Sequence, residues 1–170
     1  MAKKTTSDTA ALRGFFRVQI TGDNKVVGDS GWRENTVTNM GKQNYLLTWL
    51  VTGSGGKFVQ YMALGTGGTA ATSDTSLSGE LYDKSTNATT NSRAAVSTSI
   101  NSSTQAQFTA AFNSANSFAT ASHNISNVGL FDSYLTSLAN VGTMFAGNTF
   151  ASSSVATNQS VQVTYQINLS

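Results

Sequence analysis

The 170-residue chain has no cysteine and no proline, a single histidine, and charged residues at only 11% of its length. Each shortage removes a class of chemistry. Without cysteine there are no disulfides, thiolate nucleophiles or thiolate metal sites. One histidine, His123, falls short of the three or four ligands a zinc site needs. The charged fraction is well below the usual quarter, and Ser, Thr and Asn fill roughly a third of the chain instead. There is no long apolar run of membrane-spanning length, so no transmembrane helix is expected. The opening "MAKKTTSDTAALRG" has no apolar stretch behind its two lysines and does not read as a secretory signal.

The few charges are unevenly placed. Every Lys and Arg lies at or before Arg93, and after it Asp132 is the one formal charge. The net charge of +2 comes with no basic cluster longer than Lys3-Lys4, so a nucleic-acid partner is not expected. A hydrophobic fraction of 39% is too high for a disordered chain. Folded, such a composition presents polar but uncharged faces, which suits a subunit packed against neighbours, because interface cores are depleted in charge.

The pattern along the chain is mainly β. Residues 1 to 12 read as a flexible arm, with one domain over 13–170. "GFFRVQI" (14–20) and the "VV" after "TGDNK" make a hairpin. "NTVTNMGKQNYLLTWLVTGSGG" predicts the one α-helix, over about 39–52, capped by Thr38 or Asn39. Its apolar stripe would be Met40, Leu47 and Leu50, widened by Leu46 and Val51. Strands are expected at 57–64, in "SRAAVSTSI" and "TQAQFTAAFN", at 123–131 and at 141–150. In "VQVTYQINL" the residues Val161, Val163, Tyr165, Ile167 and Leu169 alternate strictly with polar ones. Six to eight strands, one helix and short turns specify an antiparallel β-sandwich or jelly roll.

The candidate chemistry is sparse. Asp74 with Glu80, and Glu80 with Asp83, are the carboxylate pairs that acid–base work would need. Both sit among turn residues, where Asp74 is better placed to accept from backbone N–H groups. The segment "YMALGTGGTAATSDTSLSGEL" (61–81) offers glycines after an apolar strand, as phosphate loops do. No Lys follows them, and no helix of useful length does either. Gly65, Gly67 and Gly68 are therefore expected to turn the chain through positive φ and to let a neighbouring subunit approach, as an assembly contact. Trp32 and Tyr134 are the aromatics open to stack on a sugar, which keeps a carbohydrate-binding module as an alternative. No catalytic set, cofactor or metal site can be assembled, and an enzyme is not expected.

Four stretches, "GWRENTVTNMGKQNYLLTWL" (31–50), the segment 61–81, "ISNVGLFDS" (125–133) and "GTMFAGNTFASSSVATNQSVQVTYQINLS" (142–170), resemble in order and spacing a family of small tailed-phage virion proteins. The shared features are Asn35, Asn39 and Gly41 at a helix start, Gly65-Thr66-Gly67, Leu77 with Glu80, Gly129-Leu130-Phe131, and Val163 to Leu169. The resemblance implies a non-enzymatic β-sandwich virion subunit, made in the host cytoplasm and assembling with itself, often as a trimer. Its place would be capsid decoration or head fibre, against the major capsid protein, or alternatively tail, collar or fibre base. The absence of a repeat or coiled coil leaves no shaft and favours a compact decoration or cement subunit.

Overall fold

The computed structural model describes residues 11–48, 53–81, 93–113, 122–133 and 142–169. Within them ten strands occur: β1 (Leu12–Gly22), β2 (Lys25–Asp29), β3 (Arg33–Val37), β4 (Tyr61–Gly65), β5 (Ala94–Ala95), β6 (Ser97–Ser102), β7 (Gln105–Phe112), β8 (His123–Phe131), β9 (Met144–Val155) and β10 (Ser160–Leu169). All pairings are antiparallel, in the order β5-β4-β8-β9-β3-β1-β10-β7-β6, with β2 added on β1. The mainly β architecture expected from the sequence is thus present, as a nearly closed, barrel-like sandwich.

Two places bend this sheet back on itself. In β3, Gly14, Phe15 and Phe16 of β1 pair with Asn35, Glu34 and Arg33, whereas Thr36 and Val37 pair with Gly147 and Ala146 of β9. One five-residue strand therefore passes from one half of the sandwich to the other. At the opposite seam β5 and β6 lie at the two ends of the strand order yet are separated in sequence by Val96 alone. The Val96 N–H is held by the Gln60 carbonyl at 2.9 Å.

The core follows from the alternation. Phe16, Val18 and Ile20 of β1 face Tyr165, Val163 and Val161 of β10, and all are buried. The Phe16 and Tyr165 rings stack at 5.9 Å, and Phe150 meets Phe16 edge-on at 6.1 Å. The Tyr165 hydroxyl, fully buried, accepts from the Asn35 side-chain amide, which lies across Gly14. A Cβ at Gly14 would fall 2.0 Å from Asn35 Oδ1, so this placement of the Asn35 side chain requires glycine there. β4 and β8 do not alternate, because both their faces are covered. Met62, Leu64, Val128 and Leu130 enter the main core, while Ala63, Phe131 and Met144 form a second cluster with Ala70 and Leu77 on the other face.

The β1–β2 hairpin turns at Asp23 and Asn24, with φ of 49° and 59°, the left-handed pair that a two-residue turn requires. The helix differs from its sequence expectation. Helical backbone spans 39–48, but Gly41–Leu47 is a π-helix, and residues 49–52 lie outside the described residues. Its buried face is Gly41 and Tyr45, and Leu47 of the expected stripe is 55% exposed. Gly41 is pressed against β9, where a Cβ would lie 2.1 Å from the Phe145 carbonyl oxygen. Thr38 caps the segment: its hydroxyl accepts from the Gly41 N–H at 2.9 Å and donates to the Met144 carbonyl at 2.6 Å. β3 was not anticipated, and Leu12, assigned to the arm, is in β1 opposite Leu169. Residues 1–10 of the expected arm lie outside the described residues.

Burial raises the phenol pKa of Tyr165 and of Tyr45 above the ordinary value. A phenol held neutral in the fold stabilises it fully below the unfolded pKa of about 10, and that contribution is lost as pH rises beyond it. Denaturant titrations should show stability falling above about pH 10, less steeply in Tyr165→Phe. The same variant leaves the Asn35 amide unpaired and should lose about 1–3 kcal/mol at neutral pH.

Candidate assembly surface

The segment from Thr66 to Gly79 is stitched onto the sheet. Gly65 and Glu80 form a bridge, and the Thr66 N–H donates to the Gly79 carbonyl at 3.0 Å. Asn127 Nδ2 donates to the Ser78 carbonyl at 2.8 Å, and Ser126 Oγ to the Gly67 carbonyl at 3.1 Å. The Asn39 and Met144 N–H groups donate to the carbonyls of Thr72 and Thr75. Leu77 and Ala70 seal the outer cluster over Phe131.

The glycines in this segment therefore differ from expectation. None of Gly65, Gly67 and Gly68 has a positive φ; Gly79 does, at 62°. Gly65 and Gly67 are closed in by the segment's own return, with a Cβ falling 2.4 Å from Asn127 Oδ1 and 2.2 Å from the Ser78 carbonyl respectively. That space is taken by this chain and is not open to a neighbour's backbone. Gly68 is exposed, and a Cβ there would meet nothing within 4 Å. Asp74 accepts from the Ala71 N–H at 2.9 Å, closing a turn backwards in sequence.

Glu80 is an ion-pair partner. It takes a bidentate contact from Arg93, Nε to Oε1 at 2.6 Å and Nη2 to Oε2 at 2.9 Å. The Arg93 side chain is fully buried, with its guanidinium carbon 3.6 Å from the Phe131 ring centre and Nη1 donating to the Ser133 carbonyl at 2.8 Å. Nearby, Lys57 pairs with Asp132 at 2.5 Å and donates to Thr143 Oγ1 at 2.6 Å, and the Tyr45 hydroxyl donates to the Thr143 carbonyl. These charges hold the ends of β4, β8 and β9 to the residues preceding β5. Asp83, Trp49 and Tyr134 lie outside the described residues. Trp32 is 47% exposed between β2 and β3, and His123 opens β8 opposite Val155. Among the described residues no three His, Asp or Glu side chains gather as a metal site would need.

The feature that sequence reasoning missed is an apolar groove of about 630 Å³ at the open end of the sandwich. Its walls include Leu12, Leu46, Phe58, Ile100, Phe108 and Leu169, above a floor of Tyr45, Phe145 and Ile167. On β6 the register places Thr98 and Ile100 opposite Phe108 and Ala106, which themselves face Tyr165 and Ile167. Ile100 thus continues the core face of the sheet. The opposing half ends in the two-residue β5 and leaves Ile100 84% exposed, with Phe58 at 61% and Leu169 at 52%. Burying any one of these side chains fully would stabilise a complex by about 1.5–3 kcal/mol before association costs. Among the described residues lining the groove, Lys57 is the one that carries a charge.

The other face of the same strands is amide-rich. Asn101 Nδ2 donates to Gln105 Oε1 and Gln107 Oε1, Gln166 Nε2 donates to Gln107 Oε1, and Gln105 Nε2 to Asn168 Oδ1, at 3.0–3.2 Å. The polar outer residues of β6, β7 and β10 thus bond one another across the strands. Comparison with family models, curated proteins and solved structures finds no match for this chain.

Glu80→Ala should cost about 3–5 kcal/mol in chemical denaturation, because Arg93 would stay buried without its carboxylate. Gly67→Ala should be destabilising by about 1–3 kcal/mol through the clash with Ser78. Gly68→Ala should stay within about 0.5 kcal/mol of the parent.

Proposed function

We propose that this chain is a non-enzymatic structural subunit of a tailed-phage particle, a capsid decoration or cement protein that assembles with copies of itself. The observation that carries the assembly part is the exposed apolar rim of the groove, Ile100, Phe58 and Leu169, on a molecule with few charges. Exposed apolar side chains clustered around a groove mark interaction sites more often than solvent-facing surface. The amide face of β6, β7 and β10 supports the same reading, since uncharged faces lose less on desolvation than charged ones. The virion class rests on the four sequence stretches and their order, and the expectation of three copies on that resemblance alone.

The β-sandwich suits the role, because its stability is distributed over a long antiparallel ladder and, with no cysteine in the chain, owes nothing to disulfides. In this reading the segment over Thr66–Gly79 is a cover for β4, β8 and β9, and the particle contact lies elsewhere on the surface.

Antibody against this chain should place gold over the heads of intact source particles. Gold confined to tails would move the subunit to a tail or collar position. No gold, with the chain present in infected lysate, would overturn the virion assignment.

A further inference from the structure

We propose that the free edge of β6, together with the groove beside it, is the contact through which one copy of this chain holds another. The inference rests on the assembly reading above and names its surface.

A strand at the end of a sheet presents unpaired backbone N–H and C=O groups, and soluble proteins blunt such edges with lysine, proline or cover. In β6, "STSINS", every residue is exposed and none is charged or proline. Among the described residues no strand pairs with its outer edge. A register irregularity between Ile100 and Ser102 is the one blunting feature, and it leaves Ser97–Ile100 in regular pairing on the β7 side. Beside this edge lie the three most exposed apolar side chains of the groove. An edge able to accept a strand thus adjoins an apolar surface able to bury side chains, the two halves of strand-addition recognition.

The lack of charge fits a second copy of the same chain as the occupant. Lys57 is the charged residue in the lining, and it is already paired with Asp132. Two copies meeting through this patch bring no like charges together, and each offers the other the same uncharged edge and the same apolar wall. A strongly charged partner would leave its own charges unpaired there. A contact in which each copy offers the same patch is isologous and joins two copies, whatever further contacts a larger assembly adds, so one residue placed within it acts on both sides at once.

The full-length chain is examined by light scattering coupled to size exclusion, and by sedimentation over a range of concentrations. The parent should be oligomeric. Ile100→Lys and, on the opposite wall, Phe58→Lys should shift dissociation to concentrations at least about thirtyfold higher, as loss of an interface anchor does. Both side chains are largely exposed, so the circular-dichroism melt should report an intact fold. Val27→Lys, at an exposed apolar position on β2, should leave the mass unchanged. A monomeric parent, or an oligomer indifferent to Ile100→Lys, overturns the proposal. An oligomer that depends on Ile100 but does not attach to particles leaves this contact standing and removes the decoration role. Attachment to particles with an oligomer indifferent to Ile100→Lys does the reverse.

Discussion

Everything in this fold hangs on β3 sharing its backbone between two strands that belong to different halves of the sandwich. Three of its residues bond to β1 and two to β9. The change of partner falls between Asn35 and Thr36, and the Asn35 side chain turns across Gly14 onto the Tyr165 hydroxyl. That contact ties β3 to β1 and β10 at one point. With a side chain over Gly14, Asn35 would have to turn away and would lose its bond to the Tyr165 hydroxyl. Thr38 then fastens the next residues to β9 through the carbonyl of Met144, and Gly41 lets the helical turn lie directly on that strand.

The groove is the other side of this asymmetry. One seam is closed by β3 and sealed by large side chains. The other is closed by β5, two residues long, and by the single residue Val96. The half containing β6, β7 and β10 therefore extends beyond the half that should cover it. Core-facing positions near that end, Ile100 above all, continue the apolar pattern without an intramolecular partner. The buried Arg93–Glu80 pair lies immediately before this seam and fixes where β5 begins.

How much of this could be read from the sequence depended on whether a segment obeys one period. β10 alternates without exception and sits between two strands, so its facing residues were legible down to the exposed Leu169. The β1–β2 hairpin was legible because Asp23-Asn24 tolerates left-handed backbone. β3 was not, because "RENTV" has one buried apolar residue and its divided pairing breaks alternation. The helix begins where expected, but its face was read from leucines, whereas a π-turn against β9 selects Gly41 and Tyr45. The glycines after β4 drew attention for their backbone freedom, yet Gly65 and Gly67 are needed for the space their missing side chains leave. The groove was illegible, because Phe58 and Ile100 look like core residues of strands. Only the short β5 shows that the core stops before reaching them.

The position of β10 carries a consequence for the chain's history. It lies between β1 and β7, both made earlier, and takes its place by inserting between them. Until β10 has been made, β1 and β7 each have an edge waiting for it. Closure is thus a late event involving contacts far apart in sequence, which folds slowly and leaves partly made chains prone to pair with one another. With charged residues at only 11%, the growing chain has little protection against such pairing. Production in quantity would therefore be limited by the unfinished chain, not by the finished fold.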